Sequence, residues 1–338
     1  MPGLKPRGGT TARVSAQLRI SETSIFVSKK CNKKAIAEFF YCLICVVNVS
    51  FTTCNICIVN RTIFFDKGDE MNDGIKKAIQ YLKARKFIPH YAADVATARD
   101  IILKLVPLDA VVGFGDSTSV RQAHVPKDLS KRGNTIINPF EPMKKNQDYK
   151  SFSMNVFRRS IEAALCDVYI TGTNALTQDG RLVNIDGVGN RVSGMIFGHP
   201  VVILVVGRNK IVKDLDAAIE RLKKVTAPEH VSRRGSSKSP CIVKGECKDC
   251  VGASRVCNIT TILEGAPLFS EVNVIIVDED LGLGWDISWA QERIEKISDR
   301  HNGKMWSMPE EAIHALTKEE LWAGVDDILH KSGGNKTA

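Results

Sequence analysis

The chain has 338 residues, of which 43% are hydrophobic and 25% charged, so it is composed like a folded domain and is long enough for one large domain or two ordinary ones. The formal charge of +9 does not single out nucleic acid as a partner. Ten Lys/Arg and five Asp/Glu fall in the first 70 residues, and the remaining positive charge is spread along helical stretches with no basic run interleaved with aromatics. A small anionic ligand is the better use for it.

Residues 35–59, AIAEFFYCLICVVNVSFTTCNICIV, are apolar over a length that could cross a membrane. Glu38, Asn48 and Asn55 interrupt the run, and no small-residue cleavage site precedes it, so neither a span nor a signal peptide is expected. Cys42-x-x-Cys45 and Cys54-x-x-Cys57 pair like a zinc ribbon, but the eight residues between the pairs are too few for the usual spacing. Met71-Asn-Asp-Gly then opens an amphipathic helix with Asn72 or Asp73 as N-cap. Lys67-Gly68-Asp69-Glu70 can be encoded by purine-rich codons, as an upstream ribosome-binding sequence would be. Residues 1–70 are therefore expected to lie outside the working protein, with Met71 as its start.

From Ile75 onward helices and strands alternate. Apolar residues recur at helical spacing through Ile79, Leu82 and Phe87, then from Val95 through Ile102, Leu103 and Val106. Five short apolar runs read as strands: Asp109–Gly115, Thr135–Asn138, Asp167–Thr171, Val201–Val206 and Val272–Val277. Continuously apolar strands alternating with helices predict an α/β fold, a mostly parallel sheet with helices on both faces. A helix is expected over Ile211–Lys224, followed by a Ser-, Arg- and Cys-bearing excursion over 226–258. Beyond Gly284, helices are predicted around Trp285–Ile297 and from Pro309 to His330, the second capped by Ser307. Leu316, Leu321, Trp322, Val325 and Leu329 form its apolar stripe, and Lys331–Ala338 are expected to be disordered. The organisation is thus an extension over 1–70, a domain over 71–284 and a helical tail over 285–338.

Ligands of open α/β sheets collect beyond the carboxyl ends of the strands. Two segments suit that place. Gly113-Phe-Gly-Asp-Ser-Thr-Ser-Val-Arg121 leaves a strand through Gly113 and Gly115 and offers hydroxyls at Ser117, Thr118 and Ser119 where a helix begins, either as an anion cradle or as a capped turn. It lacks the third glycine of a dinucleotide fingerprint and a Walker lysine. Residues 171–191, TGTNALTQDGRLVNIDGVGNR, are denser in polar side chains. Leu182-Val-Asn-Ile reads as a hairpin arm with Asp179-Gly180 as its turn. That leaves Asn174, Asn184, Asp186, Asn190 and Arg191 in need of partners, each other or a ligand, and a ligand is favoured. Gly172, Thr173, Gly187 and Gly189 would shape the site, Arg191 and Lys210 would hold an anion, and Asp186 is the candidate base or orienting group. His124 and His199 read as surface or capping residues.

The ten cysteines fall at 31–57, at 241–257 and at Cys166, a clustering that favours a reducing, cytoplasmic compartment and metal ligation over disulfides. Cys166 reads as a core thiol. Cys241, Cys247, Cys250 and Cys257, set in PCIVKGECKDCVGASRVCN with Gly245 and Gly252 to turn the backbone, form a metal-loop insertion. Thiolates so close would repel unless a cation held them. Zinc would make a structural clip and a [4Fe-4S] cluster an electron relay, and the spacing does not decide between them.

The stretch GTNALTQDGRLVNIDGVGNRVSGMIFG, followed by VVILVVGRNKIVKDLDAAIERLK, resembles the central signature of the lactate-utilization (LUD) domain family, and GFGDSTSV is similar to an earlier loop of that family. The resemblance runs from near Met71 to Gly284. It implies the fold shared by ribose-5-phosphate isomerases, glucosamine-6-phosphate deaminases and CoA transferases. It also implies a part in oxidising lactate or a related 2-hydroxy acid, with an iron-sulfur or flavin protein as partner, and tips the cysteine loop towards iron-sulfur. Fold relatives use a catalytic carboxylate that does not carry over cleanly here. No flavin or nicotinamide motif is visible. The alternative is a non-redox domain that senses an anionic metabolite, with zinc as a brace.

Overall fold

The computed structural model describes residues 71–232, 239–244, 247–252, 255–302 and 310–331. The apolar run at 35–59 and its cysteine pairs, Gly245, Ser307, Pro309 and the tail after Lys331 lie outside the described residues.

The chain enters through α1 (Asp73–Ala84), where the Asn72 side chain accepts from the Gly74 amide at 2.8 Å, so Asn72 rather than Asp73 is the cap. Six strands then build one parallel sheet: β1 (Ile88–Ala92), β2 (Val111–Phe114), β3 (Thr135–Ile137), β4 (Val168–Gly172), β7 (Val201–Gly207) and β10 (Glu271–Val277). Their spatial order is β1-β10-β7-β4-β2-β3, with every pairing parallel. The five runs read as strands all lie in this sheet. Successive residues of β7 and β10 serve opposite faces, which is why the runs are apolar without alternation. Ile203, Val205, Ile275 and Val277 pack under the helices Val95–Leu105, Thr118–Gln122 and Val125–Lys131. Val202, Leu204, Val206, Val274 and Ile276 pack under α1 and the helix Asn190–Ile196. Each such side chain contributes roughly 1.5–3 kcal/mol by leaving water. The expectation of a mostly parallel sheet covered on both faces holds.

A second sheet, β8-β5-β6-β9, comprises Ile211–Val212, Ala175–Thr177, Leu182–Asp186 and Ile259–Leu263. β5 and β6 form the expected antiparallel hairpin. Gly180 turns it at φ +82, where its Cα also passes so close to the backbone of Tyr81 and Leu82 that a Cβ would collide. β6 continues antiparallel to β9, with Asp186 opposite Ile259, so the cysteine-bearing excursion ends beside this small sheet.

Three predicted helices differ from the structure. Ile211 and Val212 are not helical but pair with Leu176 and Thr177, and the helix starts at Leu215 behind the Asp214 cap, whose side chain accepts from Ala217. After Arg221 it widens into a π turn, Leu222–Thr226, before continuing as Ala227–Ser232. The helix placed at Trp285–Ile297 is observed at Gln291–Asn302, because Asp286 ties up the amide and hydroxyl of Ser288 in a turn. The long C-terminal helix is broken into Glu310–Ile313, Lys318–Ala323 and Asp326–Lys331, the break being enforced by a reciprocal Thr317–Glu320 capping box. Of its apolar stripe, Val325 is buried and Trp322 meets Phe157 edge-on at 5.3 Å. None of the described helices is long and apolar enough to cross a membrane.

Candidate functional site at the carboxyl edge of the sheet

The polar residues of 171–191 converge, and they do so chiefly on one another. Arg191 enters from the first turn of its helix and reaches into the small sheet. Its Nη1 donates to the Gly172 carbonyl at 3.1 Å and to Asn184 Oδ1 at 2.8 Å, and its Nη2 to Asn174 Oδ1 and the Ile185 carbonyl, both at 2.9 Å. Asn184 Oδ1 also accepts from Thr173 Oγ1 and the Asn174 amide. Asp186 Oδ1 caps the turn through the amides of Val188 and Gly189, while Oδ2 lies 3.5 Å from Arg191 Nε. Gly189 occupies the left-handed region at φ +97, and Gly187 sits under the Val256 carbonyl. Asn190 stands apart, its Nδ2 3.4 Å from Ser160. These residues lock the β5–β6 hairpin to the sheet, and Asp186 sits within that lock as the counter-ion of Arg191.

In the other predicted segment the two glycines serve packing. A Cβ on Gly113 would strike Cys166 Sγ and the Ala163 carbonyl, and one on Gly115 would strike Tyr169 and Thr171. Ser117 is the N-cap of the five-residue helix Thr118–Gln122. It is also the atom group against which Gly172 is packed. Thr118 Oγ1 lies 3.2 Å from His301 Nε2. Ser119, fully buried, accepts a hydrogen bond from Lys210 Nζ at 2.8 Å.

Lys210 follows β7 on a single 3-10 turn, Arg208–Lys210, which carries its ammonium over the carboxyl ends of the central strands. It is 6% exposed. Burial first, then the positive charges of Arg221 and Arg191, pull its pKa down to about 7. A buried lysine whose pKa is shifted by neighbouring cations is the kind of group that marks a candidate functional site.

Sequence reasoning missed the other half of this environment. Arg221 is 5% exposed, and burial lowers its pKa to about 9 against the opposing pull of Asp286. The turn Leu281–Gly284, which follows β10, lies against both cations. Gly282, at φ +66, faces Lys210 Nζ and Ser119 Oγ, and Gly284, at φ +124, faces the Arg221 guanidinium. Asn209 fastens this turn by accepting from the Leu281 amide and donating to the Gly284 carbonyl, and Gln122 accepts from the Gly282 amide. The spacing Leu-Gly-Leu-Gly was the available sequence signal.

The sequence profile of the LUD domain matches residues 75–277. The chain belongs to the LUD domain family. Among solved structures, a DUF162 family protein from Deinococcus radiodurans is similar at 14% identity and a TM-score of 0.34, over 60% of this chain and 96% of the other. No curated protein matches the chain.

Within this LUD domain the matched span contains the cysteine loop. Cys241, Cys247, Cys250 and Cys257 are free thiols. They lie near enough to feel one another: burial and then the other thiols push Cys257 up to about 11, and Cys241 rises for the same reasons. Arg255 gathers the loop, donating to the carbonyls of Cys257 and Cys250 and pairing with Asp249 at 3.1 Å. The loop returns against the Arg191 lock, where the Asn258 amide donates to the Asp186 carbonyl and its side chain to that of Gly187. Among the described residues, no three of His, Cys, Asp or Glu are grouped as a metal site.

Proposed function

We propose that this LUD domain is a component of the oxidation of lactate or a related 2-hydroxy acid, and that it binds the acid as an anion at the carboxyl edge of the parallel sheet. The observation that carries the reading is Lys210, buried against Ser119 with Arg221 and Arg191 as the charges acting on it. An anionic ligand would supply the counter-charge that Lys210 lacks, its neighbours being Ser119 and two cations. On this reading Ser117, Thr118 and Gly172 border the ligand, and Arg191 with Asn174, Asn184 and Asp186 fastens the neighbouring β5–β6 hairpin.

The four cysteines belong to one loop and suit a metal group in donor chemistry, since binding one would require them as thiolates whose mutual repulsion the cation offsets. A [4Fe-4S] cluster held by Cys241, Cys247, Cys250 and Cys257 would supply one-electron transfer, in keeping with the family. An iron-sulfur or flavin partner would be the primary acceptor, in a reducing cytoplasmic setting. The second reading is a zinc-braced loop on a non-redox metabolite-binding domain.

Calorimetry with lactate and pyruvate on the full chain tests the anion site. Binding that falls on the order of 100-fold in Lys210→Met supports it, from the strength of a charged hydrogen bond. Absence of binding, or equal binding by the variant, refutes it. Anaerobic purification with metal analysis and visible spectra before and after dithionite separates the two metals: a band that bleaches supports electron transfer, and one colourless zinc supports the brace.

A further inference from the structure

The amino edge of the parallel sheet, opposite the carboxyl edge, carries apolar side chains that the fold does not bury. In β10, β7, β4 and β2, which lie side by side in that order, Glu271 is paired with Val201, Val201 with Val168 and Val168 with Val112. The loops entering these strands therefore emerge in a row, and hydrogen bonds join each to the next. The Glu271 amide donates to the Pro200 carbonyl and Ser270 Oγ to that of His199, both at 2.8 Å. The Val201 amide donates to the Asp167 carbonyl, and the Val111 amide to the Asp167 carboxylate at 2.8 Å. Just ahead of the paired positions stand Leu268 and Phe269, then Phe197, Leu165 and Leu108, each 69–86% exposed. Among the described residues, no other leucine or phenylalanine is exposed by more than two-thirds.

An exposed leucine standing alone means little, but five such side chains on four adjacent loops make one ridge, about 14 Å across by strand spacing. A whole phenylalanine covers about 150–250 Å² and a leucine about 60–120 Å², so the ridge shows roughly 500 Å² of apolar surface. That lies at the upper end of the largest patch on an ordinary monomer, about 300–600 Å². With the backbone of its loops as a rim it approaches the roughly 800 Å² per partner of a stable interface.

Charge and shape narrow the occupant. Besides the buried His199, the only titratable acids or bases in residues 107–110, 164–167, 197–200 and 266–270 are Asp109, Asp167 and the buried thiol of Cys166, and Glu271 follows at the start of β10. Exposed carboxylates along the ridge repel an anionic lipid surface. The ridge also has unlike ends, aromatic at β10 and β7 and leucine at β4 and β2. A copy related by a two-fold axis sets the aromatic end of one ridge on the leucine end of the other, so the surface complements itself.

We propose that the amino-edge ridge is the interface of a two-fold homodimer, formed by the loops that precede β2, β4, β7 and β10. The contact closes at two copies and leaves both carboxyl edges free, since the length of β7 puts about 20 Å between the two edges.

Sedimentation velocity on the full chain from about 1 to about 50 µM, with thermal melts at both ends of that range, tests the interface in wild type, Phe197→Glu, Phe269→Glu and Ile287→Glu. The wild type is expected to sediment as a dimer at the upper concentration and to melt higher there than at the lower one. F197E and F269E should each weaken the dimer on the order of 100-fold, because the two-fold axis buries the introduced carboxylate twice. Both should melt like the dilute wild type, since neither side chain is buried within one chain. I287E is the control: Ile287 is 68% exposed but follows the carboxyl end of β10, and its loss should leave the dimer intact. A wild type that stays monomeric throughout overturns the proposal. So does a dimer that survives both ridge variants, which places the contact elsewhere. Ridge variants that both melt below the dilute wild type overturn it as well, by giving these side chains a role inside one chain. A monomer that floats with phosphatidylcholine vesicles, and does so no longer as F197E, overturns it in favour of a lipid surface.

Discussion

Lys210 and Arg191 are both buried cations, but their neighbours give them opposite characters. Arg191 is spent on carbonyls, two asparagines and Asp186. Lys210 has a serine hydroxyl, and the charges acting on it are positive, so its pKa of about 7 lies far below the ordinary 10.5. The ammonium form that attracts an anion is present below that value and lost above it. Affinity for pyruvate, whose own charge is constant near neutrality, should therefore be level below pH 7 and fall about tenfold per pH unit above it, as calorimetry across pH 6 to 9 would show. The ligand-free fold has the reverse trend. Its stability rises from about pH 7 towards 10.5, because the unfolded chain keeps a proton that the folded lysine has released. Lys210 was legible in the sequence as a cation just beyond an apolar strand. The partners of Asn174, Asn184 and Asp186 were not, since their choice of one another over a ligand depends on the β5–β6 register. Arg221 was hidden by its setting in IERLKK, where helical periodicity gives no reason to bury an arginine.

Elements showed the same division. The five central strands were readable because burial on both faces leaves nothing but apolar residues, and the hairpin because Asp179-Gly180 is a turn with its own chemistry. β1 escaped notice: it lies at the sheet edge, is only half buried, and carries Pro89 and His90. The helix read from Ile211 starts late because two of its apolar residues had a strand partner that no local pattern announces. The element of most consequence, the turn Leu281–Gly284, was taken as the end of a domain. Gly284→Ala should show its importance. A Cβ there meets the Arg221 guanidinium, and the φ of +124 disfavours any side chain. The expected cost is about 1–3 kcal/mol in a urea melt, with weakened pyruvate binding. Gly252→Ala is the control, at φ +96 with open space around it, and should leave pyruvate binding unchanged.

At the scale of the whole molecule, the chain folds its own C-terminal part over the carboxyl edge. Arg208 and Arg293 converge on Asp280, and although burial alone would raise the carboxyl, these two cations hold it below the usual range. Arg300 pairs with Glu279 at 3.0 Å, and its carbonyl accepts from Gln122 at 3.1 Å. Val225, Leu283, Trp285 and Ile297 form a small apolar cluster beneath the helix Gln291–Asn302. Lys210 and Arg221 are almost wholly enclosed, so on the proposed reading the entry of a ligand is a two-step event in time. The expected order is that the segment lifts first and an acid docks second. Followed by Trp285 fluorescence in a stopped-flow instrument, the observed rate should rise with pyruvate concentration and then level off at the frequency of that lifting, whereas a rate that climbs linearly without limit would mean a site already open. A slow door of this kind also lengthens the stay of whatever is inside, so a product formed there would leave at the pace of the segment and not at that of its own bonds.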